Sequence, residues 1–190
     1  VGIPMTYLEI GVYEGRTFFW IIENAHKVYE KSNKKSKLSF YAIDPHDTSE
    51  DLNCDMKKIQ KNFKENLEKY YETHKDNAFN VQYIQKTSRE GLMQLYQENV
   101  KCDLIYIDGD HRAGTVLSDL TFSFDYLMSK YSVAICDDTG FWRHYEDEER
   151  TKSRLQNNPR LATENFMFCN WDNCKPVFLP DLSQTGIMKL

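Results

Sequence analysis

The sequence predicts an α/β fold in which helices flank a mostly parallel sheet. Short apolar runs alternate along the chain with segments of helical periodicity, which is the pattern of βαβ units. Polar residues follow the first five apolar runs, at the edge where open parallel sheets bind ligands. Of the 190 residues 41% are hydrophobic, enough for one substantial core, so we expect a single domain over residues 1–190.

The first five strands are predicted from short runs of apolar residues. These runs lie at residues 6–12, 38–43, 81–84, 103–107 and 132–136. Helices are predicted between them, because apolar residues recur there three and four positions apart. The side chains that define these helices are Phe18, Ile22 and Val28, then Ile59, Phe63 and Tyr70, then a short segment at 88–96, then Val116, Leu120, Phe124, Leu127 and Met128.

The C-terminal part of the chain is predicted to complete a seven-stranded sheet. Residues 166–171 and 185–190 are predicted as the last two strands, the second being a candidate for antiparallel pairing. Residues 140–164 are highly charged and are predicted to form a surface helix and loop near the mouth of a site. Trp142 and Tyr145 in that segment could offer a flat apolar wall to a ligand ring, or could fix the helix to the sheet.

Charge and composition exclude two classes of partner. The formal net charge is -5 and the pI is about 5.6, whereas a nucleic-acid-binding domain normally carries a broad basic face. No apolar stretch approaches the roughly 20 residues that span a bilayer, and no signal peptide is recognisable. We therefore expect neither a nucleic-acid nor a membrane partner.

The cysteines point to a reducing, cytoplasmic setting. The five cysteines form no CxxC pair and are odd in number, so neither a zinc site nor a disulfide framework is predicted. Cys102 and Cys136 lie in or beside apolar runs, where cysteine usually behaves as a small buried hydrophobe. The chain begins at Val1 with a strand only a few residues later, and we expect it to be a domain cut from a longer chain.

A glycine loop follows the first strand. In residues 7–17, Glu9 stands near the strand end, and Gly11 and Gly15 are placed where the chain must turn into a helix and where backbone can approach a ligand. This is not the GxGxxG pattern of nicotinamide enzymes, because the glycine spacing differs. The carboxylate of Glu9 would repel a pyrophosphate and could attract an ammonium group. A plain turn between strand and helix is the alternative.

Asp44 ends the second predicted strand in an apolar context. At this position of an α/β sheet a carboxylate can accept hydrogen bonds from both hydroxyls of a ribose. The alternative interpretation is a loop cap. The residue type alone does not separate the two.

Three carboxylates follow the fourth and fifth predicted strands. Asp108 comes after the fourth strand, and Asp137 and Asp138 come after the fifth. If these strands are neighbours, the three acids converge and repel one another unless a cation is present. Such oxygen ligands suit Mg²⁺. Simple capping of two successive helices by aspartates is the alternative.

His111 lies three residues after Asp108 and is the candidate general base. Its spacing would place it over a substrate rather than among the metal ligands, and its usual titration range suits proton abstraction. Asp110 could orient the imidazole, or could cap the helix that begins there.

Together these motifs resemble those of the metal-dependent class I O-methyltransferases, which use S-adenosylmethionine. The glycine loop is similar to that of catechol O-methyltransferases, and the DxxH and paired-acid motifs are similar to those of macrolide-sugar O-methyltransferases. In the catechol enzymes the base is a lysine and the last metal ligand an asparagine, whereas His111 and Asp138 stand here. The chain departs from the catechol pattern and follows the sugar-methylating one.

The resemblance implies a Rossmann-like class I methyltransferase fold and a role for each motif residue. Asp44 would bind the ribose of the cofactor, Ser88 its adenine, and His111 would be the catalytic base. Mg²⁺ or Mn²⁺ would be held by Asp108, Asp137 and Asp138. The methionine half of the cofactor would contact Glu9, Gly11, Tyr13, Gly15 and Thr17.

The expected function is therefore methyl transfer to a hydroxyl of a sugar or glycan. The partners expected are a small-molecule or glycan acceptor and a neighbouring domain such as a glycosyltransferase. Three alternatives stay open: methylation of catechol-like or other small-molecule hydroxyls, a metal-dependent hydroxylase or hydrolase on a related sheet, and a nucleotide-binding domain with a decayed site.

Overall fold

The computed structural model describes residues 6–31, 38–47, 54–74, 79–140, 158–181 and 183–190. The strands in these ranges form one seven-stranded sheet. The order across this sheet is β3-β2-β1-β4-β5-β7-β6. Strands β1 to β5 pair in parallel, and β7 pairs antiparallel with β5 and β6. The predicted α/β fold with a mostly parallel sheet is confirmed. The strands are β1 Thr6–Ile10, β2 Leu38–Ile43, β3 Phe79–Ile84, β4 Cys102–Ile107, β5 Met128–Cys136, β6 Cys174–Val177 and β7 Thr185–Lys189.

Helices cover both faces of the sheet. One apolar cluster joins the first two helices to the sheet through Phe18 and Phe63. A second cluster joins the other three through Leu92, Leu120 and Phe166. The α-helices are α1 Arg16–Lys31, α2 Met56–Thr73, α3 Ser88–Gln97, α4 Ala113–Phe122 and α5 Pro159–Cys169, and a π-helical turn at Ser123–Leu127 extends α4.

Burial on both faces explains the composition of the central strands. In β1, Tyr7 belongs to the cluster under α1 and α2, whereas the next residue, Leu8, belongs to the opposite cluster. Successive side chains of a strand point to opposite faces. Because both faces are covered, the buried part of the strand after Thr6 is apolar except for Glu9, which is buried near the strand end.

The prediction of a strand at residues 166–171 was wrong, because this segment ends helix α5 and continues into a turn. Asn158 caps the helix by accepting from Leu161 N–H at 3.0 Å, and Pro159 occupies the first turn, where its missing N–H costs nothing. Ala162 and Phe166, four residues apart, are buried against the sheet. The sixth strand lies later, at Cys174–Val177.

Two element boundaries also differ from prediction. Strand β1 ends at Ile10, since a glycine follows with a positive φ. Met128, predicted to end the helical face, begins β5, because the π-helical turn closes at Leu127 and Met128 has extended backbone angles. The two cysteines expected in the core, Cys102 and Cys136, are buried as free thiols.

Some predictions fall on residues outside the described ranges. These include most of the charged segment, residues 141–157, with Trp142 and Tyr145. Among the helices that are described, none combines the length and apolarity needed to cross a membrane.

Candidate functional site

A cleft of ≈ 1160 Å³ opens at the carboxyl ends of the central strands. Its walls come from the loops after β1, β2, β4 and β5 and from the start of α3. Strands β1 and β4 lie next to each other in the sheet. From β1 the sheet continues to β2 and β3, and from β4 it continues in the opposite direction to β5. Open α/β sheets bind ligands at such a switch point. Nine of the predicted site residues line the cleft: Glu9, Gly11, Tyr13, Thr17, Asp44, Ser88, Asp108, His111 and Asp138.

The glycine loop runs tightly against the loop after β4. Gly11 has φ +83, and a Cβ there would lie 2.2 Å from the carbonyl oxygen of Asp108. Gly15 has φ +82, and its Cβ would lie 2.5 Å from the ring of Phe19. No side chain fits at either position, so both glycines are required by conformation and by space.

Asp44 ties the glycine loop to the end of β2. Its Oδ2 accepts a hydrogen bond from Tyr13 N–H at 2.9 Å, and its Oδ1 accepts one from His46 N–H at 2.8 Å. The residue is 8% exposed and lines the cleft. Each carboxylate oxygen keeps a lone pair beyond these bonds, so the group can still accept from a bound ligand.

Glu9 is a buried acid at the floor of the cleft, with 1% of its surface exposed. Tyr7 donates its hydroxyl to Glu9 Oε2 at 2.5 Å. The pKa of Glu9 is raised to about 8: burial is the main cause, the bond from Tyr7 opposes the shift, and the charges of Asp108 and Asp44 add to it. A cationic ligand would stabilise the charged form of this carboxyl group, because pairing offsets the free-energy cost of burying a charge.

A cluster of two acids and a histidine lies at the ends of β4 and β5. His111 Nε2 is 2.7 Å from Asp138 Oδ2 and 3.9 Å from Asp108 Oδ1. One ligand atom from each residue lies within 4.8 Å of the other two, a spacing that could hold a metal ion. Burial raises the pKa of Asp108 and of Asp138, with like charges adding to the rise and His111 opposing it.

Asp137 stands apart from this cluster. Its Oδ2 accepts a hydrogen bond from the hydroxyl of Tyr106, and its Oδ1 accepts one from Asp138 N–H at 2.9 Å. Gln184 donates to the same tyrosine hydroxyl at 3.0 Å. The structure thus brings together Asp108 and Asp138 of the three predicted carboxylates, and it places His111 where a third was expected.

Two further predicted residues lie at helix starts. Asp110 accepts hydrogen bonds from Arg112 N–H at 2.9 Å and from Thr115 Oγ1 at 2.8 Å, so it stabilises the start of α4. Ser88 begins α3 and its hydroxyl bonds to the carboxyl of Asp119. The pKa of Asp119 is raised to about 7, mainly by burial, with the bond from Ser88 opposing the shift.

Sequence reasoning missed His46, Tyr106 and Asp119. His46 follows Asp44 by two residues, and that proximity was a usable signal. Tyr106 occupies an ordinary position of β4, and Asp119 lies among the buried residues of α4. Nothing in their local sequence distinguishes these two, because their roles depend on partners distant in the chain.

The fold and the cleft together define a class I methyltransferase domain. The family model described as "Methyltransferase domain" matches residues 8–139, which include the glycine loop, Asp44 and the acidic cluster. The chain belongs to this family. Its assignment to the class I methyltransferases, which use S-adenosylmethionine, is confirmed.

Solved structures of the same fold come from several sources. The SAH-bound methyltransferase PaMTH1 of Podospora anserina has 16% identity and a TM-score of 0.59, over 98% of this chain and 72% of that one. An O-methyltransferase of Bacillus cereus in complex with SAH has the same identity and TM-score, over 98% and 74%. CalS11, a TDP-rhamnose 3'-O-methyltransferase, has 16% identity and a TM-score of 0.58, over 98% and 72%. No curated protein sequence matches the chain.

Proposed function

We propose that this domain transfers the methyl group of S-adenosylmethionine to a hydroxyl of a sugar or glycan. The observation that carries the proposal is that one cleft joins the glycine loop and Asp44 to the cluster of Asp108, His111 and Asp138. The first half suits the cofactor and the second half suits activation of an acceptor oxygen. Methyl transfer needs both within reach of one another.

The cofactor half fits the charges of S-adenosylmethionine. Asp44 and Ser88 both line the cleft. Asp44 would accept hydrogen bonds from the ribose, and Ser88 would contact the adenine. The buried Glu9 matches the ammonium of the methionine half, and Gly11 lines the same cleft. The complexes of PaMTH1 and the Bacillus cereus enzyme with SAH support this assignment.

In the acceptor half, Asp108 and Asp138 would hold Mg²⁺ or Mn²⁺. When bound, the ion orients the acceptor oxygen and lowers its pKa. Mg²⁺ prefers oxygen ligands and keeps several waters, so the imidazole of His111 stays available as a base. Asp137 would hold Asp138 in position, because its side chain accepts a hydrogen bond from the main-chain N–H of Asp138.

The reaction follows from these positions. The acceptor hydroxyl oxygen attacks the methyl carbon while the carbon–sulfur bond breaks, and the sulfonium becomes the neutral thioether of S-adenosylhomocysteine. His111 takes the hydroxyl proton, and Asp138, whose Oδ2 lies 2.7 Å from His111 Nε2, stabilises the imidazolium that forms. The products are a methyl ether, the thioether and a protonated His111.

A sugar acceptor is favoured by the histidine and paired-acid pattern and by the rhamnose-methylating activity named for CalS11. The net charge of -5 argues against nucleic acid as acceptor. A cytoplasmic setting and a neighbouring glycosyltransferase domain belong to the same proposal. Catechol-like hydroxyls are the competing acceptor class.

A panel assay with isotopically labelled S-adenosylmethionine tests this proposal. Glycosides and nucleotide sugars, catechols and RNA would be offered with Mg²⁺. We expect label in a sugar product and none in RNA. Label in catechols alone would overturn the acceptor class, and hydrolysis or hydroxylation of a substrate without methyl transfer would overturn the reaction type.

A further inference from the structure

His46 joins three segments of the cofactor side of the cleft. Its ring Nε2 lies 2.7 Å from the carbonyl oxygen of Tyr13, and its Nδ1 lies 2.6 Å from the hydroxyl of Tyr83. Its main-chain N–H donates to Asp44 Oδ1 at 2.8 Å. One residue therefore connects the glycine loop, the end of β2 and the end of β3.

The environment of His46 is that of a fixed group. Its side chain is 0% exposed, and its ring packs against Phe63 and Tyr83 at centroid distances of 5.5 and 5.6 Å. Its φ is +51, a left-handed conformation that is uncommon outside glycine. Such a backbone persists only where its surroundings hold it, and these conformations concentrate at functional sites.

The hydrogen-bond inventory fixes the role of Nε2 of His46. The carbonyl oxygen of Tyr13 can only accept, so Nε2 of His46 carries a proton and donates. Tyr13 N–H already donates to Asp44 Oδ2 at 2.9 Å. Both polar groups of the Tyr13 main chain are therefore held, one by Asp44 and the other by His46, although Tyr13 itself has a strained φ of +50.

We propose that His46 is a positioning residue for the cofactor, acting through the Tyr13 carbonyl and Asp44. It lines no part of the cleft itself, unlike its neighbours Pro45 and Asp47. Its ring fixes the glycine loop in the position in which Asp44 and the main chain of the loop can contact the same ligand. Loss of the Nε2 donor leaves the Tyr13 carbonyl without this partner and lets the loop leave the binding-competent arrangement, which lowers affinity.

A matched pair of variants tests this inference. The amide nitrogen of glutamine can replace Nε2, whereas the shorter asparagine reaches only the Nδ1 position. We expect His46→Gln to bind S-adenosylhomocysteine within a few-fold of wild type and His46→Asn to bind it roughly tenfold to a hundredfold more weakly by calorimetry. His26→Gln, at a histidine bonded to Tyr70 by 3.1 Å and remote from the cleft lining, is the control and should bind as wild type.

The kinetic pattern distinguishes positioning from a general loss of structure. For His46→Asn the KM for S-adenosylmethionine should rise while kcat at saturating cofactor stays within a few-fold of wild type. Equal affinities of the asparagine and glutamine variants, or a fall in kcat with unchanged KM, would overturn the inference. It rests on the proposed cofactor: wild-type protein that binds no S-adenosylhomocysteine would refute the proposed function, whereas binding by all variants alike would refute this role of His46 alone.

Discussion

At the scale of single residues, the site depends on carboxyl groups kept in costly surroundings. Glu9 is almost completely buried, and Asp108 and Asp138 share their surroundings with further acids. Burial raises the pKa of each of these carboxyl groups, and a cation nearby would favour their charged forms.

Cofactor binding to metal-free protein at pH 7 should release a proton from Glu9. The pKa of this group is raised to about 8, so it is mostly protonated before binding, and an ammonium ligand favours the carboxylate. Calorimetric heats for S-adenosylhomocysteine should therefore differ between phosphate and Tris buffers in proportion to buffer ionisation enthalpy. Identical heats in both buffers would contradict this account.

The same shift has a consequence for stability. The folded pKa of about 8 lies above the usual value of 4.5, so the contribution of the protonated Glu9 is complete below pH 4.5 and is lost as pH rises through 8. Glu9→Gln should remove this part of the pH dependence of unfolding and weaken cofactor binding roughly tenfold to a hundredfold. Urea denaturation of wild type and Glu9→Gln at pH 6 and pH 9 checks the effect on stability. An equal loss of stability between the two pH values in both proteins would contradict it.

His111→Ala should lower kcat by roughly 10²- to 10⁴-fold, the usual worth of a positioned base. Cofactor affinity should change little, since His111 lies with the acids rather than with Asp44. The methyl-transfer assay and calorimetry on one preparation separate the two quantities. A variant within a few-fold of wild type would assign the proton to Asp110 or to solvent instead.

At the scale of elements, the glycine loop and the loop after β4, which both line the cleft, lie in close contact. Gly11→Ala should destabilise the domain and weaken cofactor binding, because the new Cβ would lie 2.2 Å from the Asp108 carbonyl oxygen at a φ of +83. The cost should be at least about 1–2 kcal/mol in the free energy of unfolding. Urea denaturation measures it.

Gly114→Ala is the matched control for that substitution. Gly114 lies in α4, and a Cβ there would meet nothing within 4 Å. Alanine should therefore raise the free energy of unfolding by about 0.5–1 kcal/mol. If both alanines had the same effect, the close approach at Gly11 would not be what requires glycine.

Elements and site residues could be predicted where the features that determine them lie close together in the sequence. The parallel strands were predicted because both faces are buried, which makes each an apolar run. Residues 166–171 were mistaken for a strand, since their aromatic side chains favour strands while Asn158 and Pro159, which start the helix, lie well upstream. Asp108 and Asp138 were predicted from motifs, whereas His46 and Asp119 act through partners that only the fold brings near.

At the scale of the whole molecule, the switch point between β1 and β4 brings the glycine loop and the acidic cluster to one cleft. Because the acidic cluster lies in this cleft, we predict that methyl transfer depends on a divalent ion. A chelator should abolish methyl transfer, and added Mg²⁺ or Mn²⁺ should restore it. Asp108→Asn with Asp138→Asn should show the same loss without added chelator. Full turnover in excess chelator would mean that these acids serve only to stabilise the fold.

The most direct test of the central claim is a calorimetric titration of wild type and Asp44→Ala with S-adenosylmethionine and S-adenosylhomocysteine. We predict binding of both ligands to wild type with Kd on the order of micromolar. Loss of the charged acceptor should weaken both by roughly tenfold or more in Asp44→Ala. Wild-type protein that binds neither ligand, or an Asp44→Ala variant that binds both as tightly as wild type, would contradict the assignment of this cleft to the cofactor.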